Sequence, residues 1–95
     1  MSVYVIADIE VTDPAGYEAY RQGVPTTVAA YGGRYLARGG ATQKLDGDRT
    51  PNRCVILEFP SMEQFRAWWD SPEFQPMRAI RERTTRSDLV VTQGL

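Results

Sequence analysis

The sequence predicts an α+β domain of the ferredoxin-like β-α-β-β-α-β class, one four-stranded antiparallel sheet with helices on one face. Three observations carry this expectation. Four short stretches alternate apolar and polar residues with a period of two. Longer stretches between them repeat apolar residues at spacings of three and four. Glycine, proline and capping residues punctuate the joints. The 95 residues suffice for one domain spanning the whole chain, residues 1–95.

In the first strand, Val3, Val5, Ala7, Ile9 and Val11 share one face, and Tyr4, Ile6, Asp8 and Glu10 the other. Asp13 suits an N-cap and Pro14 the first helical position. Tyr17, Tyr20, Val24, Val28 and Tyr31 make the buried stripe of the first helix, with a kink expected at Gly23 and Pro25. Gly32-Gly33 ends it, because glycine enters the left-handed C′ conformation without a Cβ penalty. A second strand runs from Arg34 to Arg38 and past Gly39-Gly40. The turn formers from Asp46 to Asn52 read as an exposed hairpin loop. Arg53 to Phe59 is a third strand. Ser61-Met62-Glu63-Gln64 has the form of a capping box and opens a helix carrying Phe65, Trp68 and Trp69. Ser71-Pro72 restarts it as a cap and first helical residue, and the continuation buries Phe74, Met77 and Ile80. Leu89 to Thr92 is the fourth strand.

Right-handed crossovers give the strand order 4-1-3-2. The helix-covered face then carries Val3, Val5, Ala7, Ile9, Tyr35, Ala37, Val55, Leu57, Leu89 and Val91, with no charge among them. The opposite face carries Tyr4, Ile6, Asp8, Leu36, Arg38, Cys54, Ile56, Glu58, Val90 and Thr92. Its patch of Ile6, Leu36, Ile56 and Val90 is of a kind that marks an interface, and a homodimer is the simplest closure.

Eleven basic residues against twelve acidic ones leave a net charge of −1, which argues against a dedicated nucleic-acid binder. There is no histidine and one cysteine, so the common haem and zinc ligand sets and any histidine-based catalytic dyad are excluded. No cofactor and no metal are expected. An internal disulfide is impossible with one cysteine, and Cys54 has no neighbour to activate it. No apolar run reaches the roughly 18–20 residues of a membrane span, and the N-terminus reads as a strand rather than a signal peptide. A cytoplasmic protein without membrane contact is the expectation.

The segments Tyr4-Val5-Ile6-Ala7, Val11-Thr12-Asp13-Pro14 and Ala30 through Gly40 resemble a family catalogued as domain of unknown function 1330. So do Glu58-Phe59-Pro60-Ser61 and Trp69 through Pro76, with Arg81 following. The resemblance spans essentially the whole chain. It implies a dimeric α/β barrel, a superfamily that includes cofactor-free monooxygenases, lactone isomerases and haem-dependent dismutases. Phe74 departs from the tyrosine expected in the Ser-Pro-Glu-aromatic-Gln stretch.

Parity sets Asp8, Arg38 and Glu58 together on the uncovered face. Arg38 there is a candidate carboxylate or phosphate anchor and Glu58 a general base with a raised pKa. The alternative is an interfacial ion pair that fixes dimer register. Gly39-Gly40 reads as a bulge or as a close approach for a ligand. Tyr17, Tyr20, Trp68, Trp69 and Phe74 read either as core or as the lining of a cleft between helices and sheet. The candidate ligand residues are therefore Asp8, Tyr20, Arg38, Glu58 and Trp68. The candidate ligand is a small anionic or aromatic molecule, bound by a homodimeric binder or cofactor-free enzyme. A noncatalytic dimeric module is the alternative. Arg78, Arg81, Arg83 and Arg86 read as a solvated helix end that complements the dipole.

Overall fold

A computed structural model describes all 95 residues. Strands β1 (Val3–Val11), β2 (Arg34–Arg38), β3 (Arg53–Phe59) and β4 (Thr85–Gln93) alternate with α1 (Pro14–Ala30), α2 (Met62–Trp69) and α3 (Gln75–Thr84). The strands form one sheet in the order β2-β3-β1-β4, with every paired neighbour antiparallel. This is the expected order, with β1 and β3 central.

The helix-covered face builds the core because its side chains leave water together. Val3, Val5, Ala7, Ile9, Val55, Leu57 and Phe59 from the sheet pack against Tyr17, Tyr20, Val24, Val28, Phe65, Trp68 and Phe74 from above. Trp68 sits at the centre, with ring centroids 4.1 Å from Phe74 and 5.2 Å from Phe59. Its indole N–H donates to Thr27 Oγ1 at 3.0 Å, so the one polar atom of the ring is satisfied.

The helix ends follow their capping chemistry. Asp13 Oδ1 accepts from the Gly16 N–H at 3.1 Å, and Ser61 Oγ from the Gln64 N–H at 3.1 Å. Gly32, at φ +79°, turns the chain out of α1. The helix runs unbroken through Gly23 and Pro25. Gly16 and Gly23 instead mark its contact with α3, since a Cβ at either would meet Thr84 or Met77. Two elements depart from expectation. Ser71 caps a turn, donating to the Trp68 carbonyl and accepting from the Phe74 N–H, and the helix proper starts at Gln75. Strand β4 begins four residues early, at Thr85, because β1 offers paired positions out to Val11 whatever side chains face them.

The larger correction concerns β2. Tyr35 pairs with Leu57 but Ala37 pairs with Ile56, so Leu36 is an extra residue and the strand bulges there. A bulge reverses side-chain parity downstream. Ala37 therefore joins the open face, and Arg38, opposite the buried Val55, joins the helix-covered face. Across the open face runs an apolar row of Ala37, Ile56, Ile6 and Val90 in register. Ile6 is 40%, Leu36 48% and Val90 60% exposed.

The joint after α1 is a sensitive point of packing. A Cβ at Gly33 would lie 2.6 Å from Phe59 Cε1 and 2.8 Å from Val28 Cγ1, both fully buried side chains. Overpacking of this kind costs about 1–3 kcal/mol. Gly33→Ala is expected to lower the melting temperature clearly, whereas Gly40→Ala, with nothing near its Cβ, leaves it almost unchanged. Equal melts for the two variants would contradict this packing.

Candidate functional site

The five candidate residues divide between the two faces of the sheet. Asp8 and Glu58 are on the open face, and Tyr20, Arg38 and Trp68 line one pocket on the other.

On the open face both carboxylates have partners. Glu58 receives the Arg34 Nε at 2.6 Å, since Arg34 rather than Arg38 stands opposite it in register. That hydrogen bond holds the Glu58 carboxyl below the ordinary carboxylate range, the reverse of what a general base with a raised pKa requires. Asp8 accepts from the Asn52 N–H at 2.9 Å, from the Asn52 side chain at 3.2 Å and from Arg49 at 3.1 Å. Arg49 also reaches Asp88 at 3.4 Å, bridging two like charges that face each other across β1 and β4. The loop before β3 is thereby tied to the sheet at Arg49 and Asn52. The Asn52 bonds, more than Arg49, push the Asp8 carboxyl below its ordinary value.

The pocket lies between α1 and the sheet. Val5, Ala7, Ile9, Val55, Leu57 and Leu89 form its apolar floor, and Tyr17, Tyr20, Val24 and Trp68 its roof. Tyr35, Arg21, Arg38 and Arg53 complete the lining. It encloses about 460 Å³ with its mouth included, of which the centre of a water molecule can explore about 30 Å³. The cavity is therefore a narrow slit.

Each arginine has its own reason for being there. Pro25 has no N–H, so the Arg21 carbonyl four residues earlier lacks its helical donor. The Arg38 guanidinium, turned to this face by the bulge, donates to that carbonyl and lies 4.9 Å from the centre of the Tyr35 ring. Arg53 sits 6.0 Å from the centre of the Tyr17 ring, and its Nε is buried without a partner. Gly39, at φ +73°, passes so close to the Arg53 guanidinium that a Cβ would overlap it, so the Gly39-Gly40 bend makes room for Arg53. Arg21 pairs with Glu18 on the outer surface of α1. Neither Arg38 nor Arg53 has a carboxylate partner within salt-bridge distance. Burial pushes the Tyr35 hydroxyl up to about 12 and raises the Tyr20 hydroxyl as well. Both phenols are protonated at neutral pH.

Arg53, Tyr17 and Tyr35 belong to the lining and are missing from the sequence-derived candidates. For Arg53 the signal is present, because it shares the parity of Val55, Leu57 and Phe59. Arg81 corrects a second expectation. It is not part of a solvated helix end but only 4% exposed, with Nε and Nη1 unpartnered. No three His, Cys, Asp or Glu side chains come together in a metal-binding group, and no helix is long and apolar enough to cross a membrane.

The sheet order, the helices on one face and the split βαβ connection define a ferredoxin-like α+β protein. The chain belongs to the family described as domain of unknown function (DUF1330), whose pattern matches residues 2–95. No curated protein matches it. Among solved structures, it is similar to the RPA0582 protein of unknown function from Rhodopseudomonas palustris, at 18% identity and TM-score 0.83, covering 99% of this chain and 82% of that one. A dimeric ferredoxin-like protein of unknown function from Thermobifida fusca is 19% identical, with TM-score 0.69 and coverage of 99% and 92%. SnoaB, a cofactor-independent oxygenase from Streptomyces nogalater, is 15% identical, with TM-score 0.67 and coverage of 99% and 93%. At these identities the likeness is one of fold.

Asp8 gives a direct test of the loop clasp. Its folded pKa lies below the unfolded value, so the clasp contributes stability above about pH 4 and loses it as pH falls through the folded pKa. In a ¹³C carboxyl titration, the Asp8 midpoint is expected below 3.8. Asn52→Ala raises it more than Arg49→Ala, in the order of the two side chains' contributions. An Asp8 midpoint that neither substitution moves would mean the clasp does not form in solution.

Proposed function

We propose that this protein is a homodimeric small-molecule binder whose ligand combines an apolar or aromatic body with an anionic group. The pocket between α1 and the sheet is its site. The observation that carries this reading is the pair Arg38 and Arg53, two cations at the lining of an otherwise apolar slit with no carboxylate to neutralise them. Guanidinium groups bind carboxylate and phosphate through directed, charge-assisted hydrogen bonds, and these are strengthened where water is scarce. Tyr17, Tyr20, Tyr35 and Trp68 offer aromatic surface to the body of the ligand. Asp8 and Glu58 belong to the other face and leave the set of ligand residues.

The open face supports the dimer. Its apolar row is bordered by the Arg34–Glu58 pair on one side and by Asp8, Arg49 and Asp88 on the other. That is the arrangement of an apolar interface core within a polar rim. The dimeric ferredoxin-like neighbour from Thermobifida fusca supports the same assembly. Whether chemistry follows binding depends on the ligand, and the likeness to a cofactor-independent oxygenase favours testing oxygen-consuming reactions of whatever compound binds.

Two measurements check this reading. In calorimetric titrations, 2-naphthoate is expected to bind at least tenfold tighter than 2-naphthalenemethanol, which keeps the rings and loses the charge. Arg53→Ala and Arg38→Ala remove that preference, and Arg38→Lys keeps part of it. Equal binding of acid and alcohol would count against the pocket. In sedimentation, the wild type runs as a dimer and the double variant Ile6→Glu, Val90→Glu as a monomer. A wild type that remains monomeric at all concentrations would remove the dimer.

A further inference from the structure

Resting on the pocket assigned above, the structure points to a second polar station at its inner end, where Tyr20 donates its phenolic proton to an oxygen acceptor of the ligand. We infer that the ligand is an acid carrying a carbonyl or comparable oxygen remote from its anionic head, and that Arg81 is the positioning residue for Tyr20.

The packing of α1 on α3 places the two side chains opposite each other. A Cβ at Gly16 would meet Thr84, and one at Gly23 would meet Met77. Tyr20 lies between the two glycines on α1, and Arg81 lies between Met77 and Thr84 on α3. Tyr20 is 7% exposed and lines the pocket. Arg81 approaches it from behind, close enough to hydrogen-bond the phenol and oppose the effect of burial on its acidity.

A guanidinium has donors only. Where it meets a phenol, the phenolic oxygen must be the acceptor, and the O–H is directed elsewhere. Tyr20 has no hydrogen bond to a protein acceptor that would take this proton, and the pocket is the open space beside it. The buried Nε and Nη1 of Arg81 lack partners as well, so no carboxylate neutralises the charge that orients Tyr20. The pocket therefore has cationic groups at Arg38 and Arg53 and a hydroxyl donor at Tyr20, with an apolar floor between them.

Three probes separate the parts. 4-Acetylbenzoate carries both an acid and a remote carbonyl, 4-isopropylbenzoate has nearly the same shape without the acceptor, and 4-acetylbenzyl alcohol lacks the charge. The expected result on wild-type protein is about tenfold tighter binding of 4-acetylbenzoate than of 4-isopropylbenzoate, as for one buried hydrogen bond. Its ketone C=O stretch shifts to lower frequency when bound. Tyr20→Phe, which removes only the hydroxyl, abolishes both the preference and the shift and leaves 4-isopropylbenzoate binding as it was. Arg81→Lys retains part of the shift and Arg81→Met none. If both acids bind equally to wild type, with no displacement of the stretch, the second station is overturned while the pocket stands. If neither acid binds better than the alcohol, the anionic reading of the pocket fails and this inference fails with it.

Discussion

One extra residue in β2 decides where the charges of this molecule go. Without the bulge at Leu36, Arg38 would face outward beside the apolar row, and the pocket would lose one of its cations. With it, Arg38 turns under α1, where it needs an acceptor. Pro25 provides one by leaving the Arg21 carbonyl without a helical donor. The bulge and the proline are 11 residues apart and on different elements. Each is a defect in its own element, an unpaired strand residue and a broken helical hydrogen bond. Joined through the Arg38 guanidinium, the two defects satisfy each other and fix a cation at the mouth of the slit.

The sheet thus separates two kinds of electrostatics. On the open face every strong charge is answered, Arg34 by Glu58 and Arg49 by Asp8 and Asp88. Such exposed pairs contribute little stability individually. They do set a polar border around Ile6, Ile56 and Val90, and their geometry is that of register rather than catalysis. On the covered face the charges are unanswered. Arg38, Arg53 and Arg81 enter a region of tyrosine, tryptophan and aliphatic side chains with no carboxylate among the pocket lining. An interior selected for stability alone would favour apolar residues of similar volume there.

Much of the fold was legible because it depends on local rules. The alternation in β1 and β3, the Asp13 and Ser61 caps and the glycine exit from α1 each follow from a few neighbouring residues. The split βαβ order then fixed the strand arrangement. The site was less legible because it depends on register. Strict alternation from Arg34 sends Arg38 to the wrong face, and no residue in Arg34-Tyr35-Leu36-Ala37-Arg38 announces a bulge. The error propagated to Glu58, whose partner became Arg34. Tyr20 and Trp68 were readable as pocket or core from helical spacing, and they serve as both. The early start of β4 escaped notice because Thr85 to Asp88 pair through their backbone, which carries no apolar signature.

Arg81 shows why a pattern of charges on a helix cannot be read without its neighbours. Beside Arg78, Arg83 and Arg86 it resembles one more cation near a helix C-terminus. Its position between Met77 and Thr84 instead directs it into the contact with α1, where two glycines bring the helices close. A lysine or arginine buried without a counterion costs several kcal/mol in ordinary interiors. Here part of that cost is offset by the faces of nearby rings, with the Arg81 guanidinium 5.6 Å from the centre of Trp69 and the Tyr20 phenol beside it. Aromatic faces attract a cation without neutralising it. The positive potential therefore survives at the inner wall of the slit, where an anionic or strongly polarised ligand oxygen can use it.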